Sequence, residues 1–312
     1  MIYVLGSINL DTSLEVERIP KKGETLIADG CSMGLGGKGA NQAVAIAKLG
    51  APQNKMLVQM IGCVGKDATG SELVNTLEGF GVGTRNVRKV NRATGSAMVM
   101  VTPKDNRIIV YGGANSGITK TDIDEALCKA TSADTLLCQL EVPLYVVAYA
   151  LRKARSLGMT TILNPAPAKA LPDDLFYSVD VIIPNEVETQ ELTGIVPRDP
   201  DSIRDAVDKF HERGVQYVVL TLGERGIALS DGNRIFEQLP AYKVAAVDTT
   251  GAGDTFVGAF ALTYPHIGMY SFKEACAFAN RAASIAVTRR GASESIPSAE
   301  EVNAMYVKEI KK

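Results

Sequence analysis

Asp248-Thr249-Thr250-Gly251-Ala252-Gly253-Asp254-Thr255-Phe256 sets two glycines ahead of a small, apolar run that continues to Leu262. Glycine at 251 and 253 lets the backbone turn tightly with its N–H groups outward. Thr255 to Leu262 reads as a helix. A glycine turn feeding a helix N-terminus makes an anion site, because unpaired amides and the helix dipole both favour negative charge. Asp254 falls in the first turn. Its carboxylate is a poor phosphate ligand, since like charges repel, but it is well placed to take a proton from a hydroxyl that attacks a phosphate. The same nine residues also describe an ordinary helix start whose acid favours the dipole. By themselves they do not choose.

A second glycine segment, Gly34-Leu35-Gly36-Gly37-Lys38-Gly39-Ala40-Asn41-Gln42, leads into an apolar helix-like run that ends at Leu49. Gly34 to Gly39 formally matches G-x-G-x-x-G, but the context is wrong for a dinucleotide. Ala28 to Met33 is not a buried apolar strand, and no acid lies about 20 residues on to hold a ribose. Gly39 follows Lys38 where a Walker A loop needs Ser or Thr. The segment suits a sugar clamp instead: glycines let the backbone approach a polyol, Lys38 and Asn41 donate, and Asn41 also accepts. A helix entry with a solvent lysine is the plainer alternative. Asn9 and Asp11 follow the first strand, at the edge where α/β sheets bind ligands. Asp11 can accept from two adjacent hydroxyls, or the pair can simply build a turn.

The chain has 312 residues, 46% apolar and 22% charged, enough for a large core as one big domain or one domain with an appendage. A net charge of −2 points to neither nucleic acid nor membrane as partner, so any phosphate site must be local. The five cysteines form no C-x-x-C pair and no metal-ligand spacing, and read as reduced thiols of a cytoplasmic protein. His211 and His266 are the only histidines, both in polar or loop-like settings, which leaves little room for a Ser-His-Asp or zinc-histidine mechanism. No basic region precedes Ile2-Tyr3-Val4-Leu5, which reads as a first strand rather than a leader. No apolar stretch reaches the ~18 residues of a membrane helix.

Apolar runs predict strands over Ile2 to Ile8, Met56 to Val64, Thr135 to Leu140, Met159 to Leu163, Val179 to Ile183 and Tyr217 to Leu222. Helical patterns cover Gly39 to Leu49, Gly70 to Phe80, Leu144 to Leu157, Ser202 to Arg213, Ala252 to Leu262 and Phe272 to Val287, and the chain closes on a last helix ending at Lys312. This alternation predicts an α/β fold with a mostly parallel central sheet flanked by helices. Two regions break the rhythm and read as hairpins of half-exposed strands. One is 12–33, with Leu14-Glu15-Val16-Glu17 against Thr25-Leu26-Ile27-Ala28. The other is 96–112, with Ala97 to Val101 and Arg107 to Tyr111 around a polar turn at Pro103 to Asn106.

The two glycine segments together resemble the two signatures of the PfkB carbohydrate kinases, and within that family those of the ribokinases. Gly-Ser-Ile-Asn-Leu-Asp (6–11), Gln-Leu-Glu-Val-Pro (139–143), Asn-Pro-Ala-Pro-Ala (164–168), Pro-Asn-Glu-Val-Glu (184–188) and Thr-Leu-Gly-Glu-Arg-Gly (221–226) follow in the family's order over almost the whole chain. The resemblance implies a single ribokinase-like domain over 1–312, with 12–33 and 96–112 forming a small β lid that also makes a dimer contact. It assigns Asn9, Leu10, Asp11, Gly37, Lys38, Gly39, Ala40, Asn41 and Glu141 to the sugar, with Val99 and Val110 as apolar lid contacts. Asn185, Thr221, Leu222, Gly223, Glu224, Arg225, Gly226, Gly253 and Asn280 would hold ATP. Glu188 would hold magnesium through water, although Asn185 and Glu188 also fit a helix N-cap and capping box, and both can hold at once. Asp248, Thr250, Ala286, Arg289, Gly291 and Ser295 match positions that bind a monovalent cation, potassium being expected, mostly by backbone carbonyls.

The implied activity is transfer of the ATP γ-phosphoryl to the 5-hydroxyl of D-ribose, with Asp254 as base and Gly251, Ala252 and Gly253 around the transferring group. Another kinase on the same scaffold, for a deoxyribose, a hexose or a nucleoside, is the alternative. A sugar-sensing regulator would not need Asp254, and a nicotinamide oxidoreductase fails on the context of Gly34 to Gly39.

Overall fold

Continuous apolar strands have no solvent face to offer, and the first strand shows what this demands. In β1 (Ile2–Leu5), Ile2 and Val4 enter one hydrophobic core while Tyr3 and Leu5 enter another. Side chains alternate across a strand, so helices must cover both faces of the sheet. The computed structural model describes residues 1–50, 56–103, 106–264 and 271–310, the side chains of 306–310 excepted.

The chain continues through β2 (Asn9–Glu15), β3 (Gly30–Gly36), α1 (Lys38–Gly50), β4 (Val58–Gly65), α2 (Ala68–Gly79), β5 (Gly83–Val90), β6 (Gly95–Val101) and β7 (Asn106–Tyr111). Then come α3 (Lys120–Ala126), β8 (Thr135–Cys138), α4 (Leu144–Ser156), β9 (Thr160–Leu163), α5 (Asp173–Phe176), β10 (Val181–Ile182), α6 (Glu186–Thr193) and α7 (Pro200–Glu212). The last elements are β11 (Tyr217–Thr221), β12 (Ile227–Ser230), β13 (Phe236–Leu239), α8 (Ala252–Thr263), α9 (Phe272–Ala286) and α10 (Ala299–Ile310).

The large sheet has nine strands in the order β13-β12-β11-β10-β9-β8-β1-β4-β5. It is parallel from β5 to β11, and β12 and β13 return antiparallel. The order runs outward from β1 through β4 to β5, then resumes at β8 on the other side of β1. That reversal opens a crevice beyond the carboxyl ends of β1 and β8, where ligands enter such sheets.

A second sheet of four strands, β3-β2-β6-β7, is the lid. Its two antiparallel pairs are joined by a parallel pairing of β2 with β6, in which Asp11 lies opposite Ala97 and Ser13 opposite Val99. The first pair differs from expectation. Its return strand is Gly30–Gly36, and Thr25 to Ala28 lies outside any strand, with Ile27 92% exposed. Alternation alone did not supply a partner; the ladder settles where glycine is needed. A Cβ on Gly36 would stand 2.0 Å from the Asp11 carboxylate. Of the turn between β6 and β7, Lys104 and Asp105 lie outside the described residues.

The remaining differences follow local physics. β5 carries Thr84, Arg85, Arg88 and Lys89 at the sheet edge, so it shows little apolar signal. His211 is not loop-like: it sits buried at the end of α7, with Nδ1 against the Val215 carbonyl at 2.9 Å and Nε2 against Ser230 Oγ at 2.8 Å. Both ring nitrogens are occupied structurally. His266 lies outside the described residues. All five cysteines are free, and among the described residues no helix is long and apolar enough to cross a membrane.

Candidate active site

The start of α8 is an open helix N-terminus. Gly251 sits at φ 74°, a left-handed turn natural to glycine, and a Cβ there would also meet Ala292 Cα at 2.9 Å. No side chain caps this helix. The Ala252 amide bends back to the Thr249 carbonyl at 3.3 Å, so it is less free than the glycine turn suggested. Gly251, Gly253 and Asp254 line a cavity of about 240 Å³ with Lys38, Asn164, Asn185, Glu188, Thr221 and Thr249. An uncapped helix start attracts anions, and Lys38 adds a cation.

Asp254 is buried, and its carboxylate is held at both oxygens. Asn41 Nδ2 donates to Oδ2 at 3.0 Å and Gln42 Nε2 donates to Oδ1 at 2.9 Å. The charge of Asp254 raises the Lys38 ammonium further above its usual range, against the effect of burial. The Lys38 ammonium is thereby held as a cation beside the anion site.

The start of α1 is used differently. The Lys38 amide donates to Glu141 Oε2 at 3.1 Å, the Gly39 amide to Ser7 Oγ at 3.4 Å, and the Ala40 amide to the Ser7 carbonyl at 2.9 Å. Ser7 Oγ in turn donates to Glu141 at 2.5 Å. These amides are spoken for by protein, so the Gly34–Gly39 loop does not present a phosphate cradle. Gly39 serves close packing, since a Cβ there would meet the Gly6 backbone at 2.7 Å, and Ala40 is fully buried.

Beside this lie polar groups with unmet hydrogen-bonding capacity. Asp11 Oδ1 and Asn41 Oδ1 are buried without a partner. Burial pushes the Asp11 carboxyl up to about 7, helped by Glu141, Asp254 and Glu294 and opposed by Lys38. Buried acceptors left open are costly unless something donates to them, and a polyol is a set of donors. Asn9 is more deeply set: its Oδ1 accepts from Asn115 Nδ2 at 2.7 Å. Leu10 packs on the core. Ala97 and Val99 follow Asp11 and Ser13 on one lid face, with Val110 opposite Ala97 and 51% exposed.

The nucleotide-side residues also converge. Asn185 caps α6 and forms the full capping box with Glu188: Glu188 Oε2 accepts from the Asn185 amide at 2.8 Å, and the Glu188 amide donates back at 2.9 Å. Burial raises the Glu188 carboxyl, against the Asn185 amide and Lys38. Thr221 pairs beside Asn185. Gly226, at φ 91°, packs against Leu239 to Ala241, and Asn280 Nδ2 donates to the Pro240 carbonyl at 2.9 Å, so both meet the same segment. Leu222 is buried in the core, Glu224 is exposed, and Arg225 is engaged by Glu186 and the carbonyls of Pro197 and Arg198. These three can offer a nucleotide little beyond backbone.

The Asp248 carboxylate accepts from the Thr250 amide at 2.9 Å and the Gly291 amide at 3.1 Å, tying two distant segments together. Ser295 Oγ donates to the Ala292 carbonyl, and Ala286 is fully buried. The Arg289 guanidinium pairs with Glu301, which leaves only its backbone for a cation. Sequence reading passed over Ser7, Gln42, Gln139, Asn115 and Asn164. Polar residues inside motifs rich in glycine and proline were the available signal.

Nearly the whole chain matches a known pattern. The model of the pfkB family carbohydrate kinases covers residues 1–299. The chain belongs to the pfkB family of carbohydrate kinases. A ribokinase of Haemophilus influenzae is 39% identical over 302 residues, covering 96% of each chain. A deoxyribokinase of Salmonella typhi is 36% identical over 307 residues, covering 97% of each. The structure of Arabidopsis thaliana ribokinase complexed with ribose and ATP superposes with a TM-score of 0.87 at 36% identity, covering 97% of both chains. As a pfkB kinase, the chain is an ATP-dependent sugar phosphotransferase.

Proposed function

We propose that this kinase phosphorylates D-ribose at the 5-hydroxyl with ATP, giving ribose 5-phosphate and ADP. The carrying observation is the juxtaposition of open acceptors on Asp11 and Asn41 with an Asp254 carboxylate at an uncapped helix start. Full-length similarity to a ribokinase, and to a ribokinase complexed with ribose and ATP, supports ribose as the polyol.

Asp11, Asn41 and Glu141 hold the sugar hydroxyls, and the lid strands exclude water. Asp254 accepts the 5-hydroxyl proton as that oxygen attacks the γ-phosphorus and the bond to the ADP oxygen breaks. Gly253, whose amide has no partner among the described residues, and Lys38 stabilise charge on the transferring group. Glu188 with Asn185 fits magnesium held through water. Among the described residues there is no cluster of three or more ligating side chains, and magnesium bound to phosphates and water needs few. Bound magnesium neutralises phosphate charge. The carbonyl-rich segments 248–250 and 286–295 are the proposed potassium site.

The outer lid face carries Met33, Met98, Ile109 and Tyr111, all exposed, and is the proposed homodimer contact. The five free thiols support a reducing, cytoplasmic setting.

The test is ADP release across pentoses, hexoses and nucleosides, with D-ribose expected to give the highest kcat/KM. Full-length similarity to a deoxyribokinase favours one second reading, 2-deoxyribose as substrate, and higher kcat/KM on that sugar would replace ribose with it.

A further inference from the structure

Three amides with no assigned part in the reaction lie behind Asp254. Gln42 and Gln139 are fully buried and Asn164 nearly so. Gln42 Nε2 donates to Asp254 Oδ1 at 2.9 Å and to Asn164 Oδ1 at 3.1 Å. Gln42 Oε1 accepts from Gln139 Nε2 at 2.5 Å, and Asn164 Nδ2 donates to the Ile183 carbonyl at 2.8 Å. The chain of amides therefore runs from the ends of β8, β9 and β10, through α1, to the carboxylate on α8.

Its direction is dictated by chemistry. An ionised carboxylate only accepts, so Gln42 must turn its NH₂ toward Asp254. Its oxygen then needs a donor, and Gln139 supplies one. Were Gln42 flipped, oxygen would face oxygen both at Asp254 Oδ1 and at Asn164 Oδ1, whose own amide is fixed by the Ile183 carbonyl. Room for this arrangement is built into the backbone: a Cβ on Gly6 would stand 2.1 Å from Gln139 Oε1 and 2.7 Å from Gly39 Cα.

We infer that Gln42 is a positioning residue for Asp254, and that Gln139 acts through it by locking the Gln42 amide. With Asn41 holding Oδ2, the Gln42 bond fixes the rotation of the carboxylate about its own axis, and with it the oxygen presented to the attacking hydroxyl. This inference rests on Asp254 being the base.

The experiment uses the full chain with Gln42→Met, Gln139→Met, the double substitution and Asp254→Asn. It reads kcat, KM for ribose and ATP, and thermal midpoint. Loss of a hydrogen bond to a charged group corresponds to about a 10- to 100-fold drop in kcat for Gln42→Met. Both KM values are expected to stay within about threefold, because a group acting only on the chemical step lowers kcat alone. Gln139→Met is expected to lower kcat by several-fold, and the double variant to match Gln42→Met, because residues acting through one another are not additive.

A Gln42→Met enzyme with unchanged kcat, beside an inactive Asp254→Asn enzyme, overturns the inference. So do losses that multiply in the double variant. An active Asp254→Asn enzyme overturns the reading of the base itself. Should Gln42→Met fail to fold, Gln139→Met decides, and unchanged kcat there overturns the inference equally.

Discussion

At the residue scale, two carboxylates near enough to feel each other's charge have different surroundings. Asp254 accepts from two amide donors that aim its carboxylate, whereas Asp11 keeps an open oxygen. Asp254→Asn is expected to retain ribose and ATP binding by calorimetry but lose about 10²- to 10⁴-fold in kcat, the usual cost of removing a general base. Asp11 makes a pH prediction. Its carboxyl is pushed up to about 7, so it is charged above that pH and neutral below. Sugar hydroxyls donate best to the charged form. Ribose affinity is therefore expected to be highest about a unit above pH 7 and to fall as pH drops through 7 toward 5.5. Calorimetry across that range checks this, and Asp11→Asn is expected to bind more weakly and with a flat profile. A flat profile in the unsubstituted enzyme would remove Asp11 from the sugar.

At the element scale, helix starts are put to contrasting uses. α1 and α6 have their first amides satisfied by Glu141, Ser7 and Asn185, while α8 is left uncapped at the cavity. Glu188 serves the α6 cap whether or not it also orders water around magnesium. Glutamine keeps an acceptor for the cap, so Glu188→Gln is expected to hold its thermal midpoint within a degree or so while shifting the magnesium dependence of rate to higher concentration. An unmoved magnesium curve would leave Glu188 as a cap only. The loop before α8 makes a further prediction. Asp248 ties residues 248–250 to Gly291, and the same loop turns directly into Gly251. A cation on its carbonyls would stiffen the amides that meet the phosphate, and pre-organised donors are worth more than mobile ones. Potassium chloride is expected to raise the initial rate above that in tetramethylammonium chloride at equal ionic strength, with ribose affinity changing less than rate. Equal rates would remove the cation from the mechanism.

At the scale of the whole molecule, the lid presents two different faces because side chains alternate along its strands. Asp11, Ala97 and Val99 point one way, while Met33, Met98, Ile109 and Tyr111 lie on the opposite face. Ile108 and Val110 are exposed on the Asp11 face as well, and contiguous exposed apolar side chains on the outer face are the kind of patch that marks an association surface. Ile109→Glu with Met98→Glu is expected to convert a dimer to a monomer in sedimentation, with the thermal midpoint of the monomer little changed. A chain already monomeric before substitution would dismiss the lid dimer.

The sequence by itself determined the alternation of strand and helix, both glycine turns and the place of an acid in the first turn of α8. Each of these is written within a few neighbouring residues: apolar period, positive-φ glycine, an acid in a first turn. Strand ends such as Leu222 and the start at Met56 overran because apolar character does not stop where pairing does. β5 escaped because an edge strand need not be apolar on its outer face. Only the tertiary structure decided what touches Asp254. Asn41 and Gln42 reach it from 213 and 212 positions away, and no local period announces such a partner. The parallel seam between β2 and β6 and the Asp248–Gly291 tie have the same origin. Local propensity chooses the conformation of a segment. The sheet order, by bringing the ends of β1, β8, β9 and β10 to one edge, chooses which polar side chains must satisfy one another.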